Sequence, residues 1–115
     1  MSGLRDETVL VDDMIAAVRR LLELAPRIPT RGTPEEAVAE GTLWNLTVLG
    51  EAAKRVAPEI RVQFAGIGWS DLARTRDVVV HHYEGIDWEV IREIVTNDLP
   101  ALLPQLVEVR DALRG

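Results

Sequence analysis

Apolar residues recur at helical spacing along almost the whole chain, and this periodicity restricts the fold more than any other feature. In the first segment, Leu10, Met14, Ala17, Leu21 and Leu24 follow one another at alternating intervals of four and three residues. That spacing places them on one face of a helix. No stretch of useful length alternates between apolar and polar residues as a half-buried strand would. The pattern therefore predicts an all-α fold.

Prolines and capping residues divide this pattern into helices. Residues 25–29 contain two prolines, which end the first helix because proline lacks the backbone donor and restricts the residue before it. Thr33, Pro34 and Glu36 together match the pattern of a helix N-terminus, with a cap, a first-turn proline and an acidic residue three positions after the cap. We therefore expect the second helix to begin after Thr33 and to end near Pro58.

The second half of the chain shows three further boundaries. Ser70 predicts a third helix over residues 71–84, and Asp87 predicts the start of the next helix, because both residue types are favoured N-caps. In the last segment Pro100 and Pro104 interrupt a helical spacing, which predicts a kink or two abutting helices near the first of them. Short connections between the main helices predict that all 115 residues form one domain, an up-and-down bundle of four or five helices.

Composition and charge exclude several classes of protein. The chain has no cysteine, which excludes a disulfide framework, a cysteine-based zinc site and a thiol nucleophile. Its net charge of −6 means that binding to a polyanion must depend on a local basic patch. The first residues do not resemble a secretory signal, and no apolar run approaches the roughly 20 residues of a membrane span. We expect a cytoplasmic protein.

One segment, residues 74–83, collects side chains that a helical bundle does not require for packing. Its sequence is RTRDVVVHHY, and it holds both histidines of the chain, its only tyrosine and two arginines. Packing can also account for these residues, with the arginines paired to Asp71 and Asp77 and the histidines acting as cations at a helix end. From the residues alone, the chemical and the structural interpretations both stay open.

Arg76, His81 and Tyr83 have the spacing R-x4-H-x-Y, which resembles the signature of the HEPN superfamily. The wider sequence is similar to its HepT-like branch, the toxin partners of MNT-type minimal nucleotidyltransferases. This similarity extends over about residues 40–110. Its other elements are LGEA at 49–52, Trp69, Ile86 with Asp87, and NDLP at 97–100.

The resemblance implies a metal-independent endoribonuclease that needs no cofactor and leaves a 2′,3′-cyclic phosphate after attack by the RNA 2′-hydroxyl. His81 would transfer protons, since imidazole titrates near neutrality. Arg76 would stabilise the negatively charged phosphorane, and Asp77 would position one of these two catalytic residues. The residues expected to bind substrate are Arg74, His82 and Tyr83.

The resemblance also implies partners. These are an RNA substrate (tRNA or mRNA), a second copy of the chain in a two-fold dimer, and a nucleotidyltransferase antitoxin. The antitoxin would transfer AMP to Tyr83 and block RNA entry by bulk and negative charge, although a packed core tyrosine is the structural alternative. The alternative function is a non-catalytic HEPN module that binds a nucleotide or docks the nucleotidyltransferase. A plain helical interaction domain is the third possibility.

The spacing of the two catalytic candidates sets a geometric problem. Arg76 and His81 are five residues apart, which places them about 140° apart around an ideal helix. One straight helix therefore does not direct both at the same phosphate. The helix could distort, the long arginine could reach around it, or a partner subunit could supply one group. We favour a composite site in a dimer.

Several other features have simpler interpretations. The adjacent His81 and His82 point about 100° apart and do not favour a shared metal ion. Glu51 most simply pairs with Arg55 at i,i+4, and its alternative role is to orient Arg76 or His81 across the bundle. Gly50 on the buried stripe indicates a close approach of two helices.

The tryptophans and the remaining basic residues complete the set of candidates. Trp44, Trp69 and Trp88 are expected in the core or as anchors of a dimer interface, because the chain has few other aromatic residues. Lys54 and Arg61 are interpreted as cations on solvated faces.

Overall fold

The computed structural model describes the backbone of residues 4–81 and 85–115 and the side chains of residues 6–79 and 85–115. Every regular element in these ranges is helical, which confirms the all-α prediction. The α-helices are α1 (Leu4–Leu24), α2 (Glu36–Arg55), α3 (Pro58–Gln63), α4 (Trp69–His81), α5 (Trp88–Glu93) and α6 (Leu99–Arg114). A 3₁₀ turn (Ala25–Arg27) follows α1, and a π-helical turn (Ile94–Asp98) joins α5 to α6.

The first helix ends where its prolines predict, but the second begins later than expected. Glu35, not Thr33, occupies the N-cap position of α2, and it makes no capping hydrogen bond through its side chain. The reason lies in the connection before the helix. Pro34 is buried against the bundle, and Glu35 forms an ion pair with Arg27 of the preceding turn. These two contacts hold residues 33–35 outside the helix.

The third predicted helix also begins at a different residue. Ser70 lies inside α4, whose first turn is closed by the Leu72 amide donating to the Gly68 carbonyl at 3.0 Å. Trp69 is buried, and its indole Nε1 donates to the Phe64 carbonyl oxygen at 3.1 Å. This anchor starts the helix two residues before a cap at Ser70 would. The predicted end at residue 84 lies outside the described residues.

The predicted boundaries of the last segment are confirmed. The Asp87 side chain caps α5, with Oδ1 accepting from the amides of Glu89 at 3.0 Å and Val90 at 3.3 Å. The expected interruption before the prolines is the π-helical turn, after which α6 begins with Pro100 in its first turn. Inserted turns of this kind are a recognised cause of helix kinks.

The helices form an antiparallel bundle in which α2 packs between α1 and α4, and α1 also packs against α6. The buried carboxylate of Glu7, near the start of α1, accepts a hydrogen bond from the Ala57 amide just after α2. This contact fixes the opposite directions of the two helices. The largest fully buried side chains include Met14, Leu21, Leu46, Leu49, Leu99 and Leu106. No helix within the described ranges is long and apolar enough to cross a membrane.

Candidate functional site

The α2 and α4 helices touch at Gly50, which confirms the predicted close approach. A Cβ atom built on Gly50 would lie 2.2 Å from the Arg76 Cβ and 2.7 Å from the carbonyl oxygen of Leu72. Since no side chain fits between the two backbones, only glycine allows this crossing. The backbone at Arg76 is therefore fixed directly against α2.

The guanidinium group of Arg76 lies between two carboxylates. Its Nε is 3.1 Å from Glu51 Oε2, and its NH1 is 3.1 Å from Asp77 Oδ1. The Nε atom is buried and makes no aligned hydrogen bond within the described residues, so its contact with Glu51 is an ion pair held by charge and distance. The side chain keeps 26% of its surface exposed. Arg76 is thus fixed in position and still accessible to an anionic ligand.

Asp77 connects Arg76 to a second cation. Its Oδ1 atom lies 3.3 Å from Lys54 Nζ as well as 3.1 Å from Arg76 NH1. Hydrogen bonds from Arg76 and then from Lys54 hold the pKa of the Asp77 carboxyl below its ordinary value of 3.8. The group is therefore a carboxylate at neutral pH, and it keeps two cationic side chains together.

Two members of this cluster had other sequence interpretations. Glu51 pairs with Arg76 across the helix interface, whereas the simplest reading of the sequence paired it with Arg55; the alternative role, orienting Arg76, agrees with the structure. Lys54 belongs to the cluster as well and is not an isolated surface cation. The sequence could have indicated both residues, because Glu51 and Lys54 follow Gly50 by one and four positions, beside the point where the helices touch.

Arg74 does not join the cluster around Arg76. It is exposed, and its NH1 lies 3.3 Å from Asp71 Oδ1 in an i,i+3 pair. This is the structural alternative considered from the sequence. Residues two apart on a helix do not share a face, which accounts for its separation from Arg76.

The remaining predicted site residues lie at or beyond the end of α4. The backbone stays α-helical from Arg76 to His81, while the His81 side chain is not described. His82 and Tyr83 lie outside the described residues. Because the helix is continuous, the angular separation of about 140° between Arg76 and His81 persists. The backbone of α4 therefore shows no distortion between these two positions.

The three tryptophans occupy different environments. Trp69 is buried in the core, and Trp88 is partly buried against it. Trp44 is 65% exposed on α2, so it is not a core residue. Among the described residues, no group of three or more histidine, aspartate or glutamate side chains is placed to hold a metal ion.

Comparison with known proteins adds a family relationship. The family model described as "Ribonuclease HepT-like" matches residues 12–109. The chain is 30% identical over 81 residues to "Putative RNase MJ0127" of Methanocaldococcus jannaschii, an alignment that covers 70% of this chain and 67% of that protein. No solved structure matches.

Two further relatives align over a shorter stretch. "Putative RNase TTE0752" of Caldanaerobacter subterraneus subsp. tengcongensis is 31% identical over 65 residues, which are 56% of this chain and 58% of that protein. "Probable ribonuclease HepT" of Thermococcus cleftensis is 32% identical over 65 residues, 56% of this chain and 59% of that protein. The chain thus matches less than two thirds of the length of these two relatives.

Proposed function

The chain belongs to the ribonuclease HepT-like family, and from that premise we propose that it is a metal-independent endoribonuclease toxin acting in the cytoplasm. The RNA 2′-oxygen attacks the adjacent phosphorus, the bond to the 5′-oxygen breaks, and the products carry a 2′,3′-cyclic phosphate and a 5′-hydroxyl. The observation that supports this most is the placement of Arg76, which is fixed at the helix crossing and remains partly exposed. Preorganised donors of this kind stabilise charge that develops in a transition state.

Each residue of the site has a role in this proposal. Arg76 donates to the non-bridging oxygens of the phosphorane, while His81 moves a proton at the 2′-oxygen or at the leaving 5′-oxygen. Asp77 and Glu51 are positioning residues, because they hold NH1 and Nε of Arg76 respectively. The substrate-binding roles of Arg74, His82 and Tyr83 remain part of the proposal.

The continuous α4 helix supports a composite site. Since the backbone positions of Arg76 and His81 lie about 140° apart around one helix, a two-fold dimer would bring Arg76 of one subunit to His81 of the other. Each dimer would then contain two equivalent sites. Trp44, exposed on α2, is a candidate anchor for such an interface.

A cleavage assay tests the ribonuclease proposal. Purified protein is incubated with total tRNA or mRNA in excess EDTA, and the product ends are analysed for cyclic phosphate. Arg76→Ala and His81→Ala are each expected to lower the rate by about 100-fold or more, while the exposed Arg55→Ala serves as the matched loss of an arginine. Intact RNA after incubation with unmodified wild-type protein would contradict the proposal and favour a non-catalytic docking module.

Regulation by a nucleotidyltransferase antitoxin is a separate part of the proposal, supported by the family resemblance. The nucleotidyltransferase would transfer AMP from ATP to the Tyr83 hydroxyl, which loses its proton, and release pyrophosphate. The AMP adds bulk and negative charge where RNA enters. Co-expression with such a nucleotidyltransferase should add whole AMP units to the intact mass, and Tyr83→Phe should abolish the addition. An unchanged mass for the wild-type protein would remove the antitoxin mechanism and leave the nuclease proposal standing.

A further inference from the structure

A cleft of about 430 Å³ opens between the end of α2 and the start of α4, directly beside Asp77. Three cationic side chains line it, those of Lys54, Arg61 and Arg74, and Trp69 forms part of its wall. Asp77 also lines the cleft, so its cations outnumber its carboxylates by three to one in a chain whose net charge is −6. Such a surface attracts anions locally against the field of the whole molecule.

Arg61 is the cation in this cleft whose charge is not already balanced. Lys54 is paired with Asp77, and Arg74 is paired with Asp71. Arg61 has no acidic partner within ion-pair distance among the described residues, and its buried Nε has no hydrogen-bond partner there either. A phosphate bound in the cleft would balance the charge of the Arg61 guanidinium.

The start of α4 adds a further donor to the same cleft. Trp69 and Ser70, the first residues of this 13-residue helix, line the cleft together with Arg61. The Trp69 amide already donates to the Ile67 carbonyl oxygen at 2.9 Å, so the helix start contributes the Ser70 amide and a partial positive charge. Together with Arg61 they form an environment suited to a phosphate group.

We propose that this cleft binds a backbone phosphate of the RNA strand next to the scissile phosphate, with Arg61 and Lys54 as its principal ligands. This inference rests on the proposed ribonuclease function and extends its site along the substrate. Lys54 contacts the same Asp77 oxygen as Arg76, so the cleft continues from the catalytic cluster without a break. That continuity favours a strand over a free nucleotide, because a strand can occupy both places at once.

The test compares binding of a long substrate with cleavage of a short one. Affinity is measured by fluorescence anisotropy with a 2′-O-methyl RNA 10-mer, which lacks the nucleophile and is not cut. Cleavage is measured with the dinucleoside monophosphate UpA, which spans only the scissile phosphate. The variants are Arg61→Gln and Lys54→Gln, and the matched control is Arg55→Gln, which removes an exposed arginine outside the cleft.

Arg61→Gln is expected to weaken 10-mer binding by about fivefold or more. The slope of log K against the logarithm of the salt concentration should fall in magnitude by about 0.7, the value for one phosphate contact on a single strand. Its UpA cleavage should stay within about twofold of wild type, because no phosphate of UpA reaches the cleft. Lys54→Gln, at a side chain 41% exposed, should show the same loss of binding if Arg61→Gln fails to fold.

Three results would overturn the proposal. If both cleft variants bind the 10-mer as tightly as Arg55→Gln does, the cleft does not contact RNA. An unchanged salt slope would show that no phosphate contact was lost. An equal loss of affinity for AMP and for the 10-mer would assign the cleft to a free nucleotide. Failure of the ribonuclease proposal is distinguishable, since wild-type protein would then leave UpA intact whatever the cleft binds.

Discussion

At the scale of single residues, the site depends on a residue that has no side chain. Gly50 lets the backbone of α4 approach α2 until the Arg76 Cβ lies only 2.2 Å from the position that a Gly50 Cβ would take. Glu51 follows at the next position and reaches the guanidinium from the same helix. The placement of Arg76 is therefore decided by contact between main chains, and its two carboxylate partners adjust only the end of the side chain.

Gly50→Ala should destabilise the protein by about 1–3 kcal/mol, because the added methyl group forces the two helices apart. It should also lower RNA cleavage, since Arg76 moves with α4. The measurement is the free energy of unfolding in urea together with the cleavage rate. Gly66→Ala is the matched control, because a Cβ there meets nothing within 4 Å, and its stability should change by less than about 1 kcal/mol. Equal stability of the two variants would contradict the crossing.

Asp77 should make the folded protein less stable as the pH falls into the acid range. Its pKa in the folded protein is lowered, chiefly by the hydrogen bond from Arg76, so its stabilising contribution is complete above the ordinary pKa of 3.8. The contribution is lost as the pH falls through the folded pKa. The difference in unfolding free energy between wild type and Asp77→Asn should be constant above about pH 5 and disappear in stronger acid. A difference that persists unchanged at pH 2 would contradict the ion-pair cluster.

At the scale of elements, the helices differ in how their first turns are stabilised. Asp87 caps α5 through two hydrogen bonds to backbone amides. Asp98 occupies the same position before α6 but makes no capping hydrogen bond, because its backbone is already helical and belongs to the preceding π-helical turn. The two aspartates provide a comparison of one residue type in two settings.

Asp87→Ala should lower the free energy of unfolding by about 0.5–2 kcal/mol, the usual cost of a lost N-cap. Asp98→Ala should change the free energy of unfolding by less than about 0.5 kcal/mol, because Asp98 is exposed and its side chain makes no capping hydrogen bond. Thermal and urea unfolding of both variants give the comparison. Equal losses would indicate that the two hydrogen bonds of Asp87 do not stabilise α5.

The elements also show what sequence reasoning can and cannot supply. Periodicity and prolines predicted the helices, the end of α1 and the interruption before α6, because these signals act within a few residues. The start of α2 was predicted wrongly, since the buried Pro34 and the ion pair between Arg27 and Glu35, eight residues apart, hold the preceding residues outside the helix. The motif located Arg76 and Asp77. Their partnership with Glu51 and Lys54 depends on which helix lies opposite, and local spacing carries no information about that.

At the scale of the whole molecule, one region gathers a group of cations. The chain carries a net charge of −6, yet four cations, three of them paired with carboxylates, lie around the α2–α4 crossing and the cleft beside it. They are Lys54, Arg61, Arg74 and Arg76. A two-fold dimer would double this set on one assembly, which strengthens local attraction for a polyanion. Acidic surfaces elsewhere would then limit binding of RNA at other places.

Mixing two inactive variants tests whether two subunits form one site. Arg76→Ala and His81→Ala chains, unfolded and refolded together in equal amounts, should recover about a quarter of wild-type cleavage, because half of the dimers are mixed and one of their two composite sites is intact. Each variant refolded alone is the control. Recovery no greater than the sum of the two controls, with mixed dimers confirmed by native mass spectrometry, would place both residues in the same subunit.

Because Gly50 contacts the backbone of α4, the position of Arg76 depends on the packing of the folded protein. If α2 and α4 separate, the chain keeps every residue of its motif. The backbone at Arg76 then no longer packs against Gly50. Partly folded copies, such as those released during synthesis or exposed to heat, would therefore lack the proposed ribonuclease activity.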